Sequence, residues 1–354
     1  MREPVAANAA AACATALGSA AARRLPKAEW QALVANYRHS CAWRASWQLI
    51  NTLGPYGLLT YLMYVSLGMS FWLTLGLMLF AAAFLVRLFI IFHDCAHGSF
   101  FGSRRLNDVV GAVAGTLTFT PYFYWRARHT AHHATSGDLD RRGAGDVSTL
   151  TVREYLACSR WQRCRYRMER NPAVLFVLAP LFHFVISQRF CRRSASWRER
   201  RSVYGTNAAI LAVAVTFSAL FGIRSYLVVQ MSVMLLAGAA GVWLFYVQHQ
   251  FEGVYWERGE NWDYASAALR GSSYYKLPGI LRWFSGSIGF HHIHHLSPRI
   301  PNYHLRRCHD AGELFRSVKP VTLLSSLRCL SLRLWDEQRG RLVGFRRLQE
   351  SIEP

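Results

Sequence analysis

Two long stretches of the chain carry almost no charge, and this limits its fold more than any other feature. Between Ser46 and Phe92 the only Asp, Glu, Lys or Arg is Arg87, and between Val203 and Val247 the only one is Arg224. Every other such residue among the 354 lies outside these windows. A membrane-crossing helix needs about 20 consecutive apolar residues, so each window has room for two. Trp47–Gly68 and Phe71–Phe92 form one expected hairpin, turning at Met69 and Ser70. Tyr204–Phe221 and Tyr226–Val247 form a second, turning around Arg224. A chain that is 52% apolar and 17% charged, with mean hydropathy +0.09, is too apolar for a disordered protein and too poor in charge for an ordinary soluble one.

The remaining sequence is strongly basic, with a net charge of +21 from 41 Lys and Arg against 20 Asp and Glu. Such a balance often marks a nucleic-acid binder. Here the cations flank the apolar spans, which fits anionic lipid headgroups instead. Arg2, Arg23, Arg24, Lys27, Arg38 and Arg44 precede the first hairpin, and Arg189, Arg192, Arg193, Arg198, Arg200 and Arg201 surround the start of the second. The positive-inside rule puts both segments in the cytoplasm and the two short connections outside. Val109–Tyr124 and Ala173–Ser187 are shorter apolar stretches, interrupted by Gly, Thr, Pro or His. They read as re-entrant or interfacial segments, giving four spans with both termini cytoplasmic. The eight cysteines contain no CxxC pair, as expected of thiols in a reducing compartment. The Ala-rich stretch Val5–Ala22 reads as a weakly ordered or interfacial tail rather than a signal peptide.

Ten of the fourteen histidines fall in four short stretches: His93 and His97; His129, His132 and His133; His291, His292, His294 and His295; and His249. The first pair is spaced i, i+4, and the second and third groups share the spacing i, i+3, i+4, which places imidazoles on one side of a helix. With the topology above, all four stretches emerge at the same cytoplasmic face. Neutral imidazole is a good ligand for transition metals, and eight or nine of them exceed the four ligands of a zinc site. The set suits two metals with positions open to dioxygen. Soluble di-iron proteins use Glu and Glu-x-x-His on bundle helices, a motif missing from this sequence. His292 occupies the variable position of its group and reads as a hydrogen-bonding neighbour. Asp94, Asp138, Asp140, Asp146, Glu252 and Asp263 are placed to orient imidazoles, with simple solvation as the competing reading. The lone His39, His183, His304 and His309 read as surface or hydrogen-bonded residues.

The three groups, HDCAH, HTAHH and HHIHH, resemble the histidine boxes of membrane fatty acid desaturases. The surrounding text, notably QHQFEGVYW, SSYYKLPGILRWF and GFHHIHHLSPRIPNY, resembles bacterial acyl-lipid desaturases of the Δ12/omega-6 type, over about residues 85–305. The resemblance implies an O2-dependent enzyme that introduces a double bond into the acyl chain of a membrane lipid, in a bacterial inner membrane. It implies two iron ions held by His93, His97, His129, His132, His133, His291, His294 and His295, with His249 as a further ligand by position. The sequence has no dinucleotide, haem or iron–sulfur motif, so electrons are expected from outside, and the resemblance implies a ferredoxin or a small cytochrome as their donor.

The expected architecture is an all-α integral membrane protein, with four transmembrane helices in two hairpins and a cytoplasmic helical cap holding the di-iron site. Residues 1–45 form a cytoplasmic tail, 46–305 the desaturase domain and 306–354 a basic C-terminal helical tail, with Leu323–Leu348 as an interfacial amphipathic helix. Trp125, Tyr274, Tyr275 and Trp283 are candidates to line an acyl tunnel. Two other readings compete. A related hydroxylase or ketolase acting on a lipid or carotenoid would share the histidines. A membrane metal transporter would place ionisable residues along a path through the spans, where only Arg87 and Arg224 are available.

Overall fold

The computed structural model describes residues 27–143 and 145–348; the Ala-rich stretch Val5–Ala22 lies outside them. Its frame is two helical hairpins. Helix α1 (Ala42–Ser66) runs antiparallel to α2 (Phe71–His97), with Ser66 bonded to Thr74 at 2.8 Å and Thr52 to Arg87 at 3.1 Å. After α3 (Arg104–Leu117) and α4 (Tyr122–Thr135), the second hairpin joins α5 (Trp197–Phe221) to α6 (Ile223–His249) through Gly222. Among the described residues, α2, α5 and α6 are each long and apolar enough to cross a membrane. Helix α1 falls outside that set because Gln48, Asn51 and Thr52 dilute its apolar residues, though it exposes Ile50, Leu58 and Tyr61.

Local chemistry fixes where these helices stop. Ser70 caps α2 by accepting from the Leu73 N–H, and Gly98 ends it in the left-handed region at φ +67°, donating back to Asp94 and Cys95. That backbone conformation favours glycine, so α2 runs to His97 and no further. Box 1 is therefore the last turn of a membrane helix.

Both ambiguous apolar stretches enter and leave at the histidine end of the bundle. Helix α3 leads away from that end and α4 returns, with Tyr122 Oη donating to the Cys95 carbonyl at 2.7 Å. The second stretch combines π-helical turns at Val174–Leu178 and Phe182–Ile186 with a short α-turn between them. It follows α6 from the level of Tyr246, where Phe176 packs at 5.7 Å, to that of Gly238, which faces Pro180. Arg189 then donates to Asn207, ten residues into α5, and to the Phe119 carbonyl at the α3–α4 turn. From there the chain climbs back to Trp197, where Arg198 pairs with Asp108 of α3 at 3.1 Å. The return toward Trp197 agrees with the non-crossing path expected from the sequence, and the 59° bend between Arg160–Glu169 and Val174–Arg189 fits a re-entrant loop or a broken span.

The C-terminal region departs from expectation. Leu323–Leu348 is not one amphipathic helix. Helical turns at Leu323–Ser326 and Leu327–Ser331 lead into strands Leu334–Asp336 and Arg341–Val343, which pair antiparallel and add Leu150–Thr151 in parallel. The alternation of Leu and Arg suits a half-buried strand better than a helix stripe, and Asp336 closes the turn by accepting from the Gln338 and Arg339 N–H groups. A second short pairing joins Tyr274–Lys276 to Pro320–Thr322. Among the described residues the seven cysteines are free.

Buried Arg170 ties this hairpin to the bundle, donating to the carbonyls of Ser148 and Leu332 and to Gln250 Oε1 at 2.8 Å. Replacing Arg170 with Met strands these acceptors in the interior. The expected loss is about 2–4 kcal/mol, read as a lower unfolding temperature of the detergent-solubilised protein and faster proteolysis after residue 320.

Candidate metal centre

Four helix segments deliver the histidines. The last turn of α2 carries His93 and His97, with ring centroids 4.7 Å apart. Helix α4 carries His129, His132 and His133, α6 ends on His249, and helix α7 (His291–Leu296) carries the third box. All nine residues predicted as ligands come together, in two adjoining sets. Ligand atoms of His93, His97, His129, His133 and His294 lie within 4.8 Å of one another. Those of His132, His249 and His295 form a second such group. His291 joins the second set through His249, Nε2 to Nε2 at 3.0 Å.

The i, i+3, i+4 spacing explains the division. Neighbouring residues on a helix point about 100° apart. His132 is accordingly turned away from His133, and His295 from His294, so that the members of each pair fall in different sets. In box 2, His129 and His133 face the first set while His132 faces the second. In box 3, His294 faces the first while His291 and His295 face the second. Each triad therefore spans both sets.

Their chemistry fits metal ions. His97 Nε2 and His295 Nε2 are buried without a hydrogen-bond partner, a costly state for polar atoms. Elsewhere nitrogen faces nitrogen: His133 to His129 at 3.1 Å, His294 to His133 at 3.1 Å and His132 to His249 at 3.2 Å. Two nitrogens each about 2.1 Å from one ion lie roughly 3.0–3.4 Å apart for angles between about 90 and 109°, close to these contacts. Desolvation, reinforced by neighbouring imidazoles, holds His129, His133, His291, His294 and His295 well below the usual imidazole range. They are neutral, the state in which imidazole ligates.

Two of the six acidic candidates meet imidazoles. Asp146 reaches His132 Nδ1 at 2.6 Å, and Asp94 reaches His93 Nδ1 at 3.2 Å while its other oxygen accepts from the Asn302 N–H. These contacts orient ring nitrogens toward the sets. The other four do different work: Asp138 and Asp140 pair with Arg141 and Arg258, Asp263 caps the helix Tyr264–Arg270, and Glu252 is exposed. His292 stays outside both sets, near His309 at 3.4 Å. His309 and His304 are buried, the latter against His39 at 4.8 Å, and His183 bonds Gln188 at 2.9 Å.

Beside the histidines lies a cavity of about 360 Å³ between α2, α4, α6 and the re-entrant segment. His93, His129, His132 and His291 form part of its wall, and Leu85, Phe89, Met234 and Phe245 are among its apolar lining. Trp125 lines it as expected and stacks on His129 at 4.2 Å. The other three aromatic candidates do not. Tyr274 stacks on Phe290, Tyr275 bonds Trp243, and Trp283 lies under the Arg87 guanidinium at 3.8 Å. Sequence reading missed the wall built by Ala179, His183, Phe184 and Gln188. The signal was there: Pro180 and His183 interrupt an apolar stretch that has no need of them in a lipid-facing helix.

Comparison with known proteins agrees with this geometry. Residues 69–315 match the family model described as fatty acid desaturase. The chain is 49% identical over 302 residues to a fatty acid desaturase of Bacillus subtilis (strain 168), covering 85% of this chain and 86% of that protein. It is 28% identical over 285 residues to an sn-1 acyl-lipid omega-3 desaturase (ferredoxin) of Synechocystis sp., covering 76% and 75% of the two chains. A Nostoc sp. protein of the same description is 27% identical over 271 residues, with 71% and 70% covered. A match across most of the chain, on a helical frame that gathers the histidines beside an apolar cavity, makes this protein an integral membrane oxidoreductase of the fatty acid desaturase family.

Proposed function

We propose that the protein is an O2-dependent acyl-lipid desaturase in which nine histidines hold two iron ions: His93, His97, His129, His133 and His294 for one, His132, His249, His291 and His295 for the other. The observation that carries this reading is the division of the nine residues into two adjoining sets beside one apolar cavity. Iron bound there supplies the oxidising power, drawn from O2, that removes two hydrogens from an unactivated acyl chain. The protein contributes placement. The apolar walls hold an alkyl chain against the histidines and keep water away, while Asp94 and Asp146 fix the rings that face it.

Electrons come from an external ferredoxin- or cytochrome-type donor. The ferredoxin printed in the names of the Synechocystis and Nostoc relatives and the excess of basic residues support an acidic donor protein. Arg192, Arg193, Arg198 and Arg201 are exposed beside the start of α5, which supports a cytoplasmic site at the inner face of a bacterial membrane. A transporter fits poorly. Arg87 is committed to Thr52 and Trp283, and Arg224 is exposed beside the α5–α6 turn. The hydroxylase alternative shares every histidine and is separated by product. Likeness to the Δ12/omega-6 type rests on the flanking text, whereas the Synechocystis and Nostoc relatives are named omega-3 desaturases, at 28% and 27% identity. Double-bond position is therefore what the first experiment reads.

Expression in a bacterium that makes no polyunsaturated lipid, with a ferredoxin supplied, should yield a new double bond located by mass spectrometry of total fatty acids. A hydroxylated product, or none, would reject the proposal. His249→Ala should lower iron from two ions per chain toward one, whereas His292→Ala should leave iron unchanged; metal analysis of purified protein decides. Asp146→Asn should weaken iron retention about 10–100-fold, measured against a competing chelator. Acid should also weaken the metal-free fold. The buried imidazoles titrate well below the value of about 6.5 for an unfolded histidine. The unfolded chain therefore takes up more protons, and stability falls as pH drops below about 6.5.

A further inference from the structure

The cavity reaches much deeper than the histidines require. On α6 it is lined from Gln248 to Met234, about 21 Å of helix, with Leu85, Val86 and Phe89 of α2 also on its wall. Two glycines lie on this face of α6, for different reasons. At Gly238 a Cβ would come within 2.9 Å of the Pro180 Cβ, so helix contact excludes a side chain. At Gly241 a Cβ would meet nothing within 4 Å, and its backbone is ordinary helix. Neither packing nor conformation explains a residue that costs a helix interior up to about 1 kcal/mol relative to alanine. What the missing side chain does provide is width in the cavity, eight residues from His249, or about 12 Å along the helix.

We propose that Gly241 sets how much acyl chain beyond the reacting carbons the enzyme admits. This rests on the acyl-lipid reading of the cavity. A lipid keeps its polar headgroup at the interface, where the histidine-bearing helix ends lie, so its acyl chain threads methyl end first toward Met234. The part of the chain past the histidines must then pass Gly241. A side chain there closes the deep half of the cavity and leaves the histidine half open, so long chains are rejected and short ones retained.

The test uses membranes containing the full-length protein, supplied with ferredoxin and a mixture of phosphatidylglycerols bearing 14-, 16- or 18-carbon chains. Gly241→Leu should lower the ratio of desaturated 18-carbon to 14-carbon product by about tenfold or more, and Gly241→Ala by less. Gly57→Leu, at an exposed α1 position with nothing within 4 Å, should leave the ratio unchanged. An unchanged ratio in Gly241→Leu, or a parallel loss across all three lengths, would overturn the assignment while leaving the acyl-lipid reading intact. A wild type inactive on every chain would overturn both. Iron content of each variant, expected to equal wild type, shows that the histidine sets remain assembled.

Discussion

Buried imidazoles packed nitrogen to nitrogen are costly without a metal between them. Each buried nitrogen without a partner forfeits hydration, and protonating one to create a donor would place a charge in a desolvated cluster. Metal ions relieve both problems by accepting several lone pairs at once. The surrounding structure follows from this need. The helices must end at one level, the caps must stop α2 at His97 and α6 at His249, and the third box must be pressed from the cap onto both. Metal binding of this kind is also folding energy, because the sets do not exist in an unfolded chain.

Membrane and cap share the task unequally. The helices supply alignment along one axis: α2 contributes two histidines and α6 one, each at the terminal turn. The remaining six ride on α4 and α7, short helices held by side-chain hydrogen bonds, such as Tyr122 to the Cys95 carbonyl and Tyr264 to the His295 carbonyl. A long apolar helix is a poor place for polar ligands, so the polar chemistry gathers where the hydrocarbon ends.

Much of this could be read in the sequence because its signals are local and periodic. Charge-free windows mark the hairpins, and repeated i, i+3, i+4 histidines mark helix faces that meet at one end. The acidic neighbours were harder. Asp94 and Asp138 look alike as text, yet one touches His93 and the other an arginine, a difference decided by tertiary packing. The C-terminal hairpin was misread because alternating Leu and Arg satisfy a strand and an amphipathic helix about equally until Leu150 is brought alongside Leu334. Pro180 and His183 mark their stretch as unlike a lipid-facing span, but which helices it packs against, and so its place in the cavity wall, is decided by tertiary packing.

That hairpin bears on the order in which the protein is made. Tyr246 donates to the carbonyl of Cys329, and Gln250 is held by Arg170, which also grips Leu332. His249 lies between these two anchored residues. Chains grow from the N-terminus, so both membrane hairpins and all three boxes emerge before the segment that braces His249. The contacts that brace His249 can therefore form only once residues 329–332 have been made.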